Sequence, residues 1–296
     1  MNMRTLIPGT LETRDLHQYL LGCVAPRPIA FVSTVDENGN KNLAPYSFFN
    51  AFSSNPPIVV FSSNRKVADN TTKDTLHNIK TTGEAVINMV NYDIVRQMAV
   101  TSISFDSGIS EFEKSGLTPI PGETVKAFRV KESPAQLEVK VQDIITLGEH
   151  GGAGHLIICR VEQLHIRESV IENDRINPHK IDLMGRMGRA YYCRASGDAI
   201  HTIIQPVMKI SIGYNALPAS IKYSNVLSGN DLGLLAGLEI APGDDQIAEV
   251  KNSPKVQASL STEEPVTALH HLAKLYLRDD ADRKQAAAIL WLADNL

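Results

Sequence analysis

The stretch Pro26-Arg-Pro-Ile-Ala-Phe-Val-Ser-Thr-Val35-Asp-Glu-Asn-Gly-Asn40-Lys-Asn-Leu-Ala-Pro-Tyr46 decides the fold. Each proline fixes its own φ and pushes the preceding residue out of the helical region, so the chain reaches Ile29 extended. Ile29–Val35 is short and β-branched, as a strand is. It ends at Asp36-Glu37-Asn38-Gly39-Asn40, whose Asn-Gly pair is a strong hairpin signal. A second strand is therefore expected from about Lys41–Asn42, antiparallel to the first.

Working outward, Thr13 to Gly22 reads as a short helix with Leu16, Tyr19 and Leu20 on one face and Gly22 as its stop. Pro56-Pro57 opens an apolar run, Ile58–Phe61, that flows into a polar loop, Ser62–Lys73. A helix is expected from Asp74 to Thr82, with Leu76 and Ile79 buried and Gly83 ending it. Glu84–Val90 alternates as a strand, Tyr92–Val100 reads as a helix, and Thr101–Glu123 as a loop. Two long strands, Ala135–Leu147 and His155–Ile166, flank a Gly-rich turn. Regular alternation of strand and crossover helix is missing, so the fold class is mainly β with short helices, an antiparallel barrel rather than a doubly wound sheet. Beyond about residue 205 the chain changes character. Leu232–Leu238 and Val266–Leu296 are rich in Ala and Leu; the latter reads as helices Val266–Leu277 and Asp280–Asn295, turned at Asp279-Asp280 with Asp280 as a cap. Two domains are expected, 1–205 and a largely helical 206–296.

The 296 residues are 43% hydrophobic and 21% charged, normal for a chain that buries a core. A net charge of −4 and scattered Lys and Arg give no reason to expect nucleic acid or an anionic membrane as partner. Cys23, Cys159 and Cys193 are too sparse for a disulfide framework or a zinc site and fit a reducing compartment. The N-terminus lacks the apolar run of a signal peptide, and no apolar segment approaches the roughly 18 residues of a membrane span. A soluble, cytoplasmic protein is expected.

Two stretches carry chemistry. Asn42-Leu-Ala-Pro-Tyr-Ser-Phe-Phe-Asn50 gathers aromatics, small polar groups and free amides just after the hairpin. A flat heteroaromatic ring needs that mixture of apolar walls and a few convergent polar groups. Phe48, Phe49 and Phe52 also read as ordinary core, and composition alone favours that reading. Ser62-Ser63-Asn64-Arg65 and Thr71-Thr72-Lys73-Asp74-Thr75 bring hydroxyls and two cations to a helix N-terminus, where unpaired amides favour a phosphate. A solvated loop with Asp74 as a plain cap is the alternative. The glycine spacings of P-loop and Rossmann sites do not occur in these stretches.

Taken together, Pro26–Thr34, Asn42–Asn50, Pro56-Pro57 and Lys73-Asp-Thr-Leu-His-Asn-Ile79 resemble the successive signatures of the flavin reductase-like, flavoredoxin-type proteins. The likeness continues more loosely through Gly154–Val161 to about Tyr192. It implies an FMN-binding split β-barrel, usually a homodimer with flavin at or near the subunit interface. Carried over by position, Ser47, Phe48 and Asn50 meet the flavin ring, and Ser33 and Thr34 lie along it. Ser62, Ser63, Lys73 and Thr75 hold the phosphate, with Arg65 as a helper; Arg27 sits at the pocket mouth or is purely structural. Tyr46 departs from the Phe expected there and adds a hydroxyl without an assigned role. The segment Ser224–Gly233 resembles an extension of longer members.

The resemblance implies an oxidoreductase in which bound FMN accepts electrons, from NAD(P)H or a redox protein, and passes them on. The cofactor carries the redox step, so no catalytic side chain is named. A non-enzymatic flavin binder, either an electron carrier or a flavin-responsive protein, is the alternative function. The histidines form no metal constellation: Glu149-His150 and His155 lack a third ligand. Cys159 reads as an inert buried thiol.

Overall fold

The computed structural model describes residues 2–103, 105, 108–203, 210–278 and 282–296. The chain divides into two compact units, Met1–His201 and Thr202–Leu296. The boundary expected between residues 205 and 206 lies outside the described residues, as do the Asp279-Asp280 turn and the Asp280 cap.

The first unit begins with α1 (Thr13–Cys23) and the hairpin of β1 (Ala30–Val35) and β2 (Lys41–Tyr46), paired antiparallel from Ala30–Tyr46 to Val35–Lys41. Asp36 organises the turn: its carboxylate accepts the amides of Asn38 and Asn40 at 2.9 and 2.8 Å. Gly39, at φ +82°, takes the left-handed position a side chain would resist. Next come β3 (Phe49–Ser54), β4 (Pro57–Asn64), α2 (Asp74–Thr82), β5 (Glu84–Met89), α3 (Val95–Val100) and α4 (Glu111–Ser115). A short pair, β6 (Pro119–Pro121) and β7 (Phe128–Val130), precedes the long hairpin of β8 (Ala135–Thr146) and β9 (Gly154–Ile166).

The main sheet has seven strands in the order β2-β1-β5-β8-β9-β4-β3, every pairing antiparallel. β2 and β3 are its opposite edges, yet only Ser47 and Phe48 separate them in sequence. Laid flat, seven strands about 4.8 Å apart would hold those edges roughly 29 Å apart. Three Cα steps of about 3.8 Å reach only about 11 Å. The sheet must therefore curl until its edges meet, and the result is a split barrel. Across the seam, the Tyr46 ring at the end of β2 lies 5.2 Å from the Phe61 ring of β4, and the β3–β4 ladder continues back to Phe48, whose carbonyl accepts the Ser62 amide at 2.8 Å.

All six residues of β1 are buried because both faces are covered. Ala30 and Val32 join the inner core with Phe61, Ile87, Val139, Ile157 and the α2 residues Leu76 and Ile79. Phe31 joins an outer core with Leu43, Ile94, Met98, Phe112 and Val130. Cys159 lies in the inner core, where burial pushes its thiol up to about 12, consistent with an inert group.

One strand was not foreseen and three expectations need correction. Phe49–Ser54 is a strand, and β4 extends through Ser62, Ser63 and Asn64, which pair with Leu156, His155 and Gly154 instead of opening the polar loop. The helix expected from Tyr92 starts at Val95, and the stretch Thr101–Glu123 contains α4 and β6.

The remainder of this unit includes α5 (Pro178–Ile181) and a strand pair, Met184–Arg186 with Tyr192–Arg194. The second unit is helical: α6 (Ala219–Lys222), α7 (Gly229–Ala236), α8 (Asp244–Lys251), α9 (Pro254–Leu260), α10 (Pro265–Tyr276) and α11 (Arg283–Asp294). Its own apolar core includes Ile221, Leu235, Leu269, Ala273, Ile289 and Leu290. Among the described residues no helix is long and apolar enough to cross a membrane.

Candidate flavin site at the barrel seam

Ser47 and Phe48 carry the chain across the seam, and Arg27 fixes the crossing. Its Nε donates to Ser47 Oγ at 3.3 Å, Nη1 to the carbonyls of Leu21 (2.7 Å) and Val24, and Nη2 to the Met187 carbonyl at 3.0 Å. The Arg27 guanidinium lies 6.0 Å from the centre of the Phe48 ring, which His17 of α1 meets edge-on at 6.1 Å. Burial, and then the nearby charge of Arg186, lower the Arg27 pKa. Arg27 is thus a buried clamp that joins α1, the strand pair near residue 187 and Ser47.

Inside the seam lies a polar cluster. Tyr46, at the end of β2, is buried and its hydroxyl makes no hydrogen bond of normal geometry; the same holds for Ser63 Oγ on β4. Burial pushes the Tyr46 hydroxyl up to about 12, with the Thr75 and Ser63 hydroxyls close enough to oppose the rise. Thr75, in the first turn of α2, accepts a hydrogen bond from Asn42 Nδ2 at 2.9 Å. Thr34 Oγ1 accepts from Asn42 Nδ2 at 3.1 Å and Asn78 Nδ2 at 3.0 Å. Three strands and one helix start therefore converge on a knot of hydroxyls and amides.

Lys73 sits above this knot, its Nζ 4.8 Å from the centre of the Tyr46 ring. It occupies the N-cap position of α2, where an acceptor side chain would ordinarily take up the first free amides. A lysine cannot accept, and α2 has no side-chain cap bond. Burial, and then the neighbouring Lys66, lower the Lys73 pKa, and among the described residues no carboxylate forms an ion pair with it. Uncapped amides, a positive helix end, an ammonium without an ion pair among the described residues and two hydroxyls without well-formed hydrogen bonds are the chemistry that suits an anion.

Strand alternation divides the other expected site residues. Successive side chains point to opposite faces. Thr34 faces the α2 cluster, whereas Ser33, also fully buried, has no partner for its hydroxyl and stands opposite Leu43 and Val86. Likewise Ser63 turns inward with Phe61, while Ser62 Oγ donates to Asn64 Oδ1 at 2.8 Å. Gly154 stands beside that pair: a Cβ there would come within 2.6 Å of Ser62 Oγ. Arg65 is engaged by Asn70, through Nε to Oδ1 at 2.6 Å and Nη2 to the carbonyl at 2.7 Å. Asn50 is exposed on β3, with Oδ1 accepting the Ala51 amide at 2.8 Å.

Asn42 and Asn78 were not among the expected site residues. Asn78 carries a sequence signal: it follows Thr75 by three residues and so shares its helix face. Beside α1, a cleft of about 740 Å³ opens between Asp15, Gln18 and Tyr19 and the Met187–Tyr191 turn. Among the described residues no group of three or more His, Cys, Asp or Glu side chains could hold a metal ion.

Comparison with known proteins fits this architecture. An uncharacterized protein of Aquifex aeolicus is 38% identical over 185 residues, covering 62% of this chain and 91% of that one. Nitrilotriacetate monooxygenase component B of Bacillus cereus superposes with a TM-score of 0.64 at 31% identity, over 68% of this chain and all of that one. The 2-nitrobenzoate 2-nitroreductase of Pseudomonas fluorescens gives a TM-score of 0.62 at 28% identity, over 71% and 100% of the two chains. The flavin reductase like domain matches residues 21–186, more than half of the chain. With a curled sheet closed at Ser47-Phe48 and that match across it, the protein belongs to the flavin reductase-like family, whose chemistry is flavin-related oxidoreduction.

Proposed function

We propose that the chain binds FMN and moves electrons through it, taking hydride from NADH or NADPH and reducing a second acceptor. The observation that carries this reading is the unpaired Lys73 beside the partnerless Ser63 and Tyr46 hydroxyls. Buried polar groups are almost always satisfied, so a cluster of orphans facing an uncapped helix start calls for an anion of matching size. A phosphate ester fits these donors.

Bound FMN supplies the redox chemistry, and the protein's part is to hold, orient and shield it. Lys73, Thr75 and Ser63 hold the phosphate, with Ser62 at the adjoining strand position. Ser47, Phe48 and Asn50 border the ring. Thr34 braces Asn42 and Asn78 behind the phosphate, and Ser33 supports the strand from its other face. Arg65 acts from outside, keeping the loop before α2 in shape through Asn70. Arg27 keeps Ser47 and Phe48 at the seam. The 740 Å³ cleft beside α1 lies within the usual volume of small-molecule sites, about 300–1,000 Å³, and is assigned to the second substrate.

A homodimer is the working unit. β3 is an edge strand with Asn50 through Ser54 exposed and Phe52 68% exposed, and an unpaired edge with an apolar side chain favours covering by another chain. Three unpaired cysteines suit a reducing cytoplasm.

An absorption spectrum of the purified protein, followed by anaerobic titration with NADH and NADPH, tests the reading. The expected result is a bound flavin whose visible band bleaches on adding one of the two nucleotides. A colourless protein that ignores added FMN sinks the proposal. FMN that binds but is reduced only by a redox protein makes the chain an electron carrier.

A further inference from the structure

Tyr46 differs from the Phe that the family resemblance leads one to expect, and its hydroxyl sits in an unusual position. The atom is buried without a hydrogen-bond partner, and so is Ser63 Oγ beside it. Thr75 Oγ1 already accepts from Asn42 Nδ2, which leaves its own hydrogen free. Above the same ring lies Lys73 Nζ, 4.8 Å from the centroid. The ring thus stands under the ammonium while its hydroxyl reaches the two hydroxyls proposed to hold phosphate.

As an element of the apolar core alone, this residue would be better as Phe. The ring packs on Phe61 at 5.2 Å, and a buried hydroxyl without a partner is a net cost. The neighbouring Ser63 and Thr75 hydroxyls offset that cost only in part, and an acceptor joining the cluster would offset the rest. A phosphate monoester has that acceptor, and donors of Ser63, Thr75 and Lys73 converge on the same place.

We propose that Tyr46 is a specificity-determining residue: its hydroxyl donates to the phosphate of FMN, so the chain selects FMN over riboflavin, while its ring holds Lys73 in place. This rests on the FMN reading above. The free protein tolerates an orphaned hydroxyl, and the bound anion satisfies it. Discrimination is then asymmetric, because riboflavin leaves the hydroxyl and its neighbours unsatisfied whereas FMN satisfies them.

Flavin affinities of the full-length wild type, Tyr46→Phe and Tyr46→Leu, read by fluorescence titration, test the idea, with thermal melts of the flavin-free proteins. Tyr46→Phe should bind riboflavin within about twofold of wild type and FMN about tenfold more weakly, the worth of one hydrogen bond to a charged group. Its flavin-free melting temperature should equal or exceed that of wild type, since only an unsatisfied atom is removed. Tyr46→Leu should lose still more FMN affinity, because Lys73 loses its platform. Ser63→Ala provides a second route to the same cluster and should show the same FMN-selective loss. If wild type prefers FMN and Tyr46→Phe keeps that preference in full, the Tyr46 role is overturned and the FMN reading stands. If wild type binds neither flavin, both fall. A Tyr46→Phe protein that melts well below wild type, or does not fold, also overturns the role, because the hydroxyl would then be serving the free fold.

Discussion

At the scale of single residues, the site is defined by groups that lack what they ordinarily have. Among the described residues Lys73 forms no ion pair with a carboxylate and α2 has no side-chain cap, so the charge and the amides suit the same visitor. Lys73→Ala should therefore weaken FMN by about tenfold and riboflavin by less than about twofold, since only FMN carries the charge that pairs with the ammonium. Equal losses for the two ligands would remove the phosphate from this end of the pocket. Glu138 on β8 is the opposite case, a fully buried carboxylate with every partner supplied. It accepts from the Glu123 amide at 2.8 Å, the Thr124 amide at 2.5 Å, Thr124 Oγ1 at 2.6 Å, and is met by His165 Nε2 at 2.9 Å. Burial would raise its pKa, but these hydrogen bonds, led by Thr124, outweigh it and hold the carboxyl at about 2, against 4.5 for an ordinary glutamate. Its contribution to stability is complete above about pH 4.5 and is lost as the pH falls towards 2. Glu138→Gln should cost about 2 kcal/mol at neutral pH and flatten the acid limb of stability. Urea midpoints measured from pH 3 to pH 7 check both effects.

At the scale of elements, α2 does the positioning, and its two ends are built differently. Its start has no side-chain cap; its end is closed by Gly83, at φ +71°, whose amide donates to the Ile79 carbonyl at 2.8 Å. Nothing crowds a Cβ at Gly83, so the cost of Gly83→Ala is conformational, about 1 kcal/mol in overall stability. Denaturant unfolding should show that loss with FMN affinity nearly unchanged, because the helix start keeps its place. This helix was legible in the sequence from Asp74 to Gly83, as were the β1–β2 hairpin and the β8–β9 pair, since each carries local punctuation. β3 was not legible. Its residues Asn50 to Ser54 are exposed, so no alternation of buried and solvated positions marks them, although it forms a tight local hairpin with β4 through Asn55-Pro56. Ser62 and Ser63 read as loop because they are polar, and only their pairing with Leu156 and His155 of the distant β9 keeps them in the strand. Adjacent pairs such as Ser33-Thr34 and Ser62-Ser63 looked like single binding units, but pleating sends their members to different faces. Tyr46 and Thr75 were visible one by one, 29 residues apart, and only the curled sheet shows that their hydroxyls meet.

At the scale of the whole molecule, the two units have separate cores and separate histories of likeness. Structural relatives align over their entire length to about two thirds of this chain, so a barrel of this kind exists without the helices after residue 202. The helical unit has its own titrating weak point. His270 on α10 is buried: its Nδ1 lies 2.8 Å from Ser224 Oγ, and its Nε2 has no partner. Ser224 Oγ already accepts the amides of Val226 and Leu227 at 3.1 and 3.2 Å, so its hydrogen points to Nδ1 and the ring is the neutral Nε2–H tautomer. Burial, and then His271, lower the His270 pKa, with Asp294 opposing them. The unfolded chain therefore takes up a proton at a higher pH than the folded one. The part of this unit's stability that depends on neutral His270 is complete above about pH 6.5 and falls as the pH drops below that value, because protonation would force Ser224 to give up its donor role and would bury a charge. Calorimetry of the full chain between pH 7.5 and pH 5.5 should show a transition that moves to lower temperature, and His270→Gln should abolish most of that movement. FMN added at saturation should raise the melting temperature of the barrel alone. A pH-sensitive transition that persists in His270→Gln would assign the acid sensitivity to another group.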